Sequence, residues 1–153
     1  MLISHRLTEE EKKIICDWKY EGDYEIYNMP SYEEMLKKQW GFCNPRNEGK
    51  FKAYYDENKL VGFTNADEEE KEVFIGIGVN PNCCSNGYGQ QMLQMLCKEC
   101  GEKYPGKSLY LEVRTWNERA IACYKKAGFA ISGEAYELET GLGKGMFYRM
   151  VRE

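Results

Sequence analysis

The stretch Ile75-Gly76-Ile77-Gly78-Val79-Asn80-Pro81-Asn82-Cys83-Cys84-Ser85-Asn86-Gly87-Tyr88-Gly89-Gln90-Gln91-Met92-Leu93 constrains this chain more than any other. Val73 to Val79 is an apolar run without polar alternation, the pattern of a central strand covered on both faces. Gly76 and Gly78 interrupt it, and because glycine weakens a strand, something is expected to approach the backbone closely there. Pro81 stops the strand, and Gly87 and Gly89 admit turn conformations closed to other residues before Gln90 starts a helix. A strand, a glycine turn and a helix start present unpaired backbone N–H groups to an anion, so a phosphate-bearing ligand is expected at this turn. From these residues alone, an ordinary glycine turn is the alternative.

The length of 153 residues suits one domain, 1–153, with a full core. No stretch reaches the roughly 20 apolar residues of a membrane span. Met1-Leu2-Ile3-Ser4-His5 lacks the charged and apolar regions of a signal peptide, so a cytoplasmic protein with no membrane partner is expected. Seven cysteines without an export signal read as reduced thiols rather than a disulfide framework. A formal charge of −4 argues against a nucleic-acid partner bound by phosphate neutralisation and suits a cationic or amine substrate.

Along the chain, Leu2 to Leu7 reads as a strand, and Thr8 caps a helix from Glu9 to about Trp18 whose early glutamates suit the helix dipole. Tyr20 to Pro30 mixes aromatics with acids and has no clear period. Ser31 then caps a helix over Tyr32 to Trp40. Lys50 to Asp56 and Lys59 to Asn65 form a hairpin pattern, and Asp67 to Lys71 reads as a solvated charged turn. After the glycine turn, Met92, Leu93, Leu96, Cys97, Cys100 and Tyr104 mark one face of a helix closed by Pro105-Gly106. Ser108 to Arg114 is the next strand, and Asn117 caps a helix ending at Gly128. Phe129 to Leu138 and Gly145 to Val151 make a final antiparallel pair joined by Thr140 to Lys144, read as a flexible turn. The order is strand, helix, helix, three strands, helix, strand, helix and two strands: a mixed α/β (α+β) chain with no internal repeat.

At both glycines, Cys84-Ser85-Asn86-Gly87-Tyr88-Gly89 fits the Gln/Arg-x-x-Gly-x-Gly/Ala signature of the GNAT superfamily of acetyl-CoA-dependent N-acetyltransferases, which the chain resembles. Cys84 departs from the long polar side chain usual at the first position and leaves the cradle to backbone groups. Leu111 to Phe129, with Asn117, Ala120, Tyr124 and Gly128-Phe129, resembles the second conserved block of that superfamily. It is especially similar to the ribosomal-protein alanine N-acetyltransferases, in which a Glu on this strand and a Tyr on this helix serve as base and acid. The resemblance covers Val73 to Phe129 and hardly touches the N-terminal third.

The resemblance implies a GNAT fold, a mixed, mostly antiparallel sheet whose fourth and fifth strands splay apart to admit the cofactor. It implies acetyl-CoA as cofactor, with CoA as product. The binding residues would be Ile77, Gly78 and Val79, then Cys84, Ser85, Asn86, Gly87, Tyr88, Gly89 and Gln90, with Asn117 and Tyr124 on the second block. Tyr124 and Glu112 are the implied catalytic pair. Asn117 and Tyr124 lie two helical turns apart, about 10 Å along the axis, which suits an extended pantetheine arm. A phenol titrates near 10, so at neutral pH it has a proton to offer a leaving thiolate, and a carboxylate can take one from an amine. The residues alone leave open that Asn117 is only a cap, Tyr124 a packing residue and Glu112 an exposed partner of Arg114.

Tyr24 and Tyr27, with Tyr20, are candidates to line an acceptor pocket; a tethered surface loop is the alternative. Cys97 and Cys100 fall on the apolar helix face, so buried packing is favoured over a zinc site. His5 receives no role. No G-x-G-x-x-G follows a strand and no glycine-lysine-serine/threonine set exists, which disfavours dinucleotide and P-loop enzymes. The reading is transfer of acetyl to a primary amine, on a protein N-terminus or a small molecule, by direct attack in a monomer or homodimer. A non-catalytic acyl-CoA sensor or interaction domain of the same fold is the alternative.

Overall fold

The computed structural model describes residues 1–84, 86–140 and 143–153. The chain divides into two compact units, Met1–Asn65 with Ile77–Tyr88, and Ala66–Gly76 with Gly89–Glu153.

In the first unit, β1 (Leu2–Arg6), β2 (Phe51–Asp56) and the start of β3 (Lys59–Glu68) pair antiparallel in that order, and the end of β4 (Glu72–Val79) follows β3. The helix α1 (Glu9–Cys16) starts at a reciprocal cap: Thr8 Oγ1 accepts from the Glu11 N–H, and the Glu11 carboxylate accepts from the Thr8 N–H. It ends before Trp18, which is still buried. α2 (Tyr32–Lys38) is capped by Ser31 and stops where Gln39 turns left-handed at φ 55°, short of Trp40. The aperiodic segment contains a 3₁₀ helix, Gly22–Tyr27. Ile15, Cys16, Trp18, Met35, Phe42 and Phe63 lie in the core, with Phe63 at 6.1–6.4 Å from the rings of Trp18, Phe42 and Phe51.

In the second unit, β4 pairs parallel with β5 (Ser108–Arg114), β5 pairs antiparallel with β8 (Gly143–Arg152), and β8 also carries β6 (Ala130–Ile131) and β7 (Tyr136–Thr140). Among the described residues the parallel pairing covers Glu72–Phe74 against Ser108–Tyr110, and β4 continues past it to Val79. Leu109, Leu111 and Val113 are buried while Ser108, Tyr110 and Glu112 are half-buried, as period-two patterning requires. The helix α3 (Tyr88–Lys103) buries Met92, Leu93, Leu96, Cys97 and Cys100, so the two cysteines of the C-x-x-C pattern are packing residues. α4 (Glu118–Lys126) is capped by Asn117, and Arg152 Nε donates to the Ala127 carbonyl at its far end.

Three expectations change. The strand expected over Phe129 to Leu138 is two strands, β6 and β7, because Gly133 turns left-handed at φ 80° between them. The acidic turn is tethered rather than merely solvated: Lys107 Nζ donates to Glu68 at 2.6 Å and the Tyr110 phenol to Glu69 at 2.7 Å. The central strand is not covered throughout, since Val73 and Ile75 are buried and the residues beyond are only half-buried. Of the link expected over Thr140 to Lys144, Gly141 and Leu142 lie outside the described residues. No helix among the described residues is long and apolar enough to cross a membrane.

Candidate active site

In the first unit the end of β4 is fixed by side chains that periodicity does not reveal. The Tyr20 phenol donates to the Val79 carbonyl at 2.7 Å. Asn80 holds the next step three ways: its N–H donates to Val61 O at 2.8 Å, its amide NH₂ to Leu60 O at 3.0 Å, and its Oδ1 accepts from Asn82 N at 2.9 Å. The chain then makes a 3₁₀ turn, Pro81–Cys83, which the Asn80 side chain caps. The Cys84 thiol faces Asn80 O at 3.6 Å, and Asn86 Nδ2 donates to Cys83 O at 3.2 Å. Ser85 lies outside the described residues.

Gly87 has φ 79°, and a Cβ placed on it would meet no atom within 4 Å. The turn therefore requires glycine for its backbone and leaves open space where a side chain would stand, which fits the approach of an anion. Tyr88 opens α3, and its phenol donates to Asp56 at 2.6 Å, which raises its pKa and keeps the proton on the ring oxygen. Gly78 has a different reason to be glycine. A Cβ there would lie 2.3 Å from Cε1 of Phe63, so the close approach expected at this position is made by a core ring. Backbone groups of Ile77, Gly78 and Val79 belong to the same strand end. Tyr24 and Tyr27 stack with ring centroids 6.4 Å apart on the 3₁₀ helix after Tyr20.

In the second unit, Gly89 and Gln90 lie in the first turn of α3, and Gln90 Oε1 receives the Cys123 thiol at 3.8 Å. Asn117 and Tyr124 share α4 and its cap. Asn117 is buried, and its Oδ1 accepts from Ala120 N at 3.1 Å. The Tyr124 ring meets Phe129 edge-on at 6.3 Å, and the Tyr124 carbonyl accepts from Phe129 N at 3.0 Å.

Glu112 accepts from the Tyr136 phenol at 2.7 Å. Burial and this carboxylate push the Tyr136 pKa up to about 12, so Tyr136 acts as a donor at neutral pH. The partner considered from sequence, Arg114, is buried and lies over the Phe147 ring at 4.8 Å. Nothing local in Ala135-Tyr136-Glu137 marks Tyr136 as the partner of Glu112. On the same sheet, Arg149 pairs with both carboxylate oxygens of Glu72 and lies 4.1 Å from the Tyr110 ring centroid. Among the described residues no group of three or more His, Cys, Asp or Glu is placed to hold a metal.

This chain belongs to the Acetyltransferase (GNAT) family, which its residues 12–129 match. It is 27% identical over 133 residues to an uncharacterized N-acetyltransferase YfmK of Bacillus subtilis (strain 168), covering 82% of each chain. Among solved structures it is similar to the ribosomal-protein-S18-alanine N-acetyltransferase from Escherichia coli, with a TM-score of 0.70, 22% identity, and 99% and 93% of the two chains covered. It is also similar to spermidine N-acetyltransferase from Vibrio cholerae in complex with CoA and spermine, with a TM-score of 0.75, 16% identity, and 98% and 94% covered. The expected fold class, a mixed and mostly antiparallel GNAT sheet, is the one observed, and where β4 and β5 pair they run parallel.

Proposed function

We propose that this protein is an N-acetyltransferase that uses acetyl-CoA and a primary amine, and that residues 1–153 act as one acetyltransferase domain in the cytoplasm. The observation that carries the reading is the left-handed Gly87, with open space at its missing side chain, leading into α3 in a chain of the GNAT family. Backbone groups of Ile77 to Val79 and of Cys84 to Gln90 would hold acetyl-CoA, with Asn117 and Tyr124 toward its pantetheine arm. When bound, it supplies the acetyl group and departs as CoA.

The chain's own residues then have defined tasks. Attack requires a neutral amine, and the Glu112 carboxylate takes the proton the amine gives up, directly or through a water. One phenol occupies one of about four acceptor sites of a carboxylate, so the bond from Tyr136 orients Glu112 and leaves it able to accept. The Tyr124 phenol gives a proton, or a hydrogen bond, to the departing sulfur. Tyr24 and Tyr27 contact the acceptor. The similarity to enzymes named for a ribosomal-protein alanine and for spermidine supports a protein N-terminus or a small-molecule amine as acceptor.

Calorimetric titration with CoA tests the cradle. Cys84→Ala is expected to bind almost as the parent does. Gly87→Val is expected to lose binding, because a β-branched residue at φ 79° disrupts the turn. A large loss for Cys84→Ala with none for Gly87→Val overturns this placement. A screen of primary amines with a thiol-release readout tests turnover, and CoA binding without release above the hydrolytic background for any amine would make the protein a sensor.

A further inference from the structure

The loop Tyr20 to Asn28 is closed on itself by the Asn28 side chain. Asn28 Oδ1 accepts from the Tyr20 N–H at 2.6 Å, and Asn28 Nδ2 reaches back to the Tyr20 carbonyl at 3.4 Å. Between these ends the 3₁₀ helix Gly22–Tyr27 is held by Tyr24 N to Glu21 O at 3.2 Å and Asn28 N to Glu25 O at 2.9 Å. Gly22 at φ 62° lets the chain turn into it. The loop is therefore a compact body rather than a slack connector, and its base residue, Tyr20, also reaches outward. The phenol donates to the carbonyl of Val79, the last residue of β4, at 2.7 Å across 59 positions of sequence. Val79 is in turn followed by Asn80, locked to Leu60 and Val61. A compact loop carrying the Tyr24 and Tyr27 rings is thus tied to the strand end by the neutral hydrogen bond from Tyr20.

We infer that Tyr20 is a positioning residue that couples the two substrate subsites: occupation of the β4 end by CoA orders the Tyr20–Asn28 loop through the Val79 carbonyl, and so prepares Tyr24 and Tyr27 for the amine. This rests on the cofactor placement proposed above. Physically, a ligand lying along Ile77 to Val79 restricts the motion of the Val79 peptide, and the phenol passes that restriction to the loop base, where the two Asn28 bonds spread it over the loop. The share of the coupling carried by this neutral hydrogen bond is a factor of about two to twelve.

Amide hydrogen exchange with and without CoA, on the full chain, tests the inference and needs no knowledge of the acceptor. In the parent protein CoA is expected to slow exchange both at the Gly87–Gln90 turn and at Tyr20–Asn28. In Tyr20→Phe, protection of the turn should remain and CoA should bind within about threefold of the parent, while the added protection of Tyr20–Asn28 disappears. Asn28→Asp keeps the acceptor for the Tyr20 N–H and should preserve the coupling, whereas Asn28→Ala should abolish it. A loop insensitive to CoA in the parent, or protection that survives in Tyr20→Phe, overturns the inference and leaves the cofactor placement standing. Absence of both binding heat and turn protection in the parent overturns that placement, and the inference with it.

Discussion

The Tyr136 phenol donates to the Glu112 carboxylate at 2.7 Å, and the two residues reach each other through a third strand: β8 pairs Phe147 with Tyr136 on one side and Arg149 with Glu112 on the other. Glu112→Gln is expected to lower kcat by roughly 10²–10⁴-fold, the usual worth of a positioned base. Tyr136→Phe should cost less, about three- to thirty-fold, because it removes an orienting bond and leaves the carboxylate in place. The two losses should not multiply, since both act through one carboxylate. Steady-state kinetics of the double variant decides this, and a Tyr136→Phe loss that persists undiminished beside Glu112→Gln would detach Tyr136 from the base.

Tyr124→Phe keeps the ring that packs edge-on against Phe129, so the variant should still fold and bind CoA. Turnover is expected to fall by roughly 10²–10⁴-fold, and less for a thioester whose thiol leaves more readily. Single-turnover measurements report chemistry ahead of product release, and an unchanged single-turnover rate would remove Tyr124 from the mechanism.

Gly78→Ala introduces a Cβ that would lie 2.3 Å from the Phe63 ring. The ring also packs on Phe42, Phe51 and Trp18, so it has little freedom to retreat, and a loss of about 1–3 kcal/mol is expected from urea unfolding. Phe63→Leu together with Gly78→Ala should be more stable than the sum of the single changes implies. Strict additivity would mean that the ring yields without cost.

Glu11 is buried at the start of α1. Burial pushes its pKa up, but the bonds it accepts from Tyr55 at 2.6 Å, the Thr8 N–H at 2.9 Å and His5 at 2.7 Å outweigh that and hold it below the usual glutamate range. A carboxyl whose pKa is depressed on folding contributes stability that is complete above the unfolded value, about 4.3, and is lost as the pH falls through the folded one. Urea midpoints measured from neutral to acid pH should therefore drop below about pH 4 in the parent. Glu11→Gln should be less stable at neutral pH and show a shallower acid decline. Parallel declines in the two proteins would assign acid sensitivity to other groups.

The elements that sequence patterning revealed are those whose signals are local. Thr8, Ser31 and Asn117 announce their helices by caps, and α3 and β5 show their buried faces through the spacing of Leu93, Leu96 and Cys97 and of Leu109, Leu111 and Val113. The 3₁₀ helix Gly22–Tyr27 escaped because it is too short to display a period and is held by Asn28 at its base. Gly133 escaped because one left-handed residue divides an otherwise plausible strand. At the site, Gly87 was legible because its turn is encoded locally, whereas Gly78 was open to two readings: a glycine in a strand signals a close approach but not whether a ligand or a ring such as Phe63 makes it. The partner of Glu112 was not legible, since it depends on the register of strands far apart in sequence, and Arg114, adjacent by alternation, is instead drawn onto Phe147.

β8 follows in sequence every strand it pairs with, namely β5, β6 and β7. As the chain leaves the ribosome, those three strands emerge with their β8-facing edges open, and the Leu109, Leu111 and Val113 face has no completed sheet behind it until Gly143 to Arg152 has been made. β1, β2 and β3, by contrast, pair with one another by residue 68, and β4, the other neighbour of β3, is complete at Val79. Until β8 has followed them out, the second unit therefore offers unpaired strand edges to chaperones or to neighbouring nascent chains.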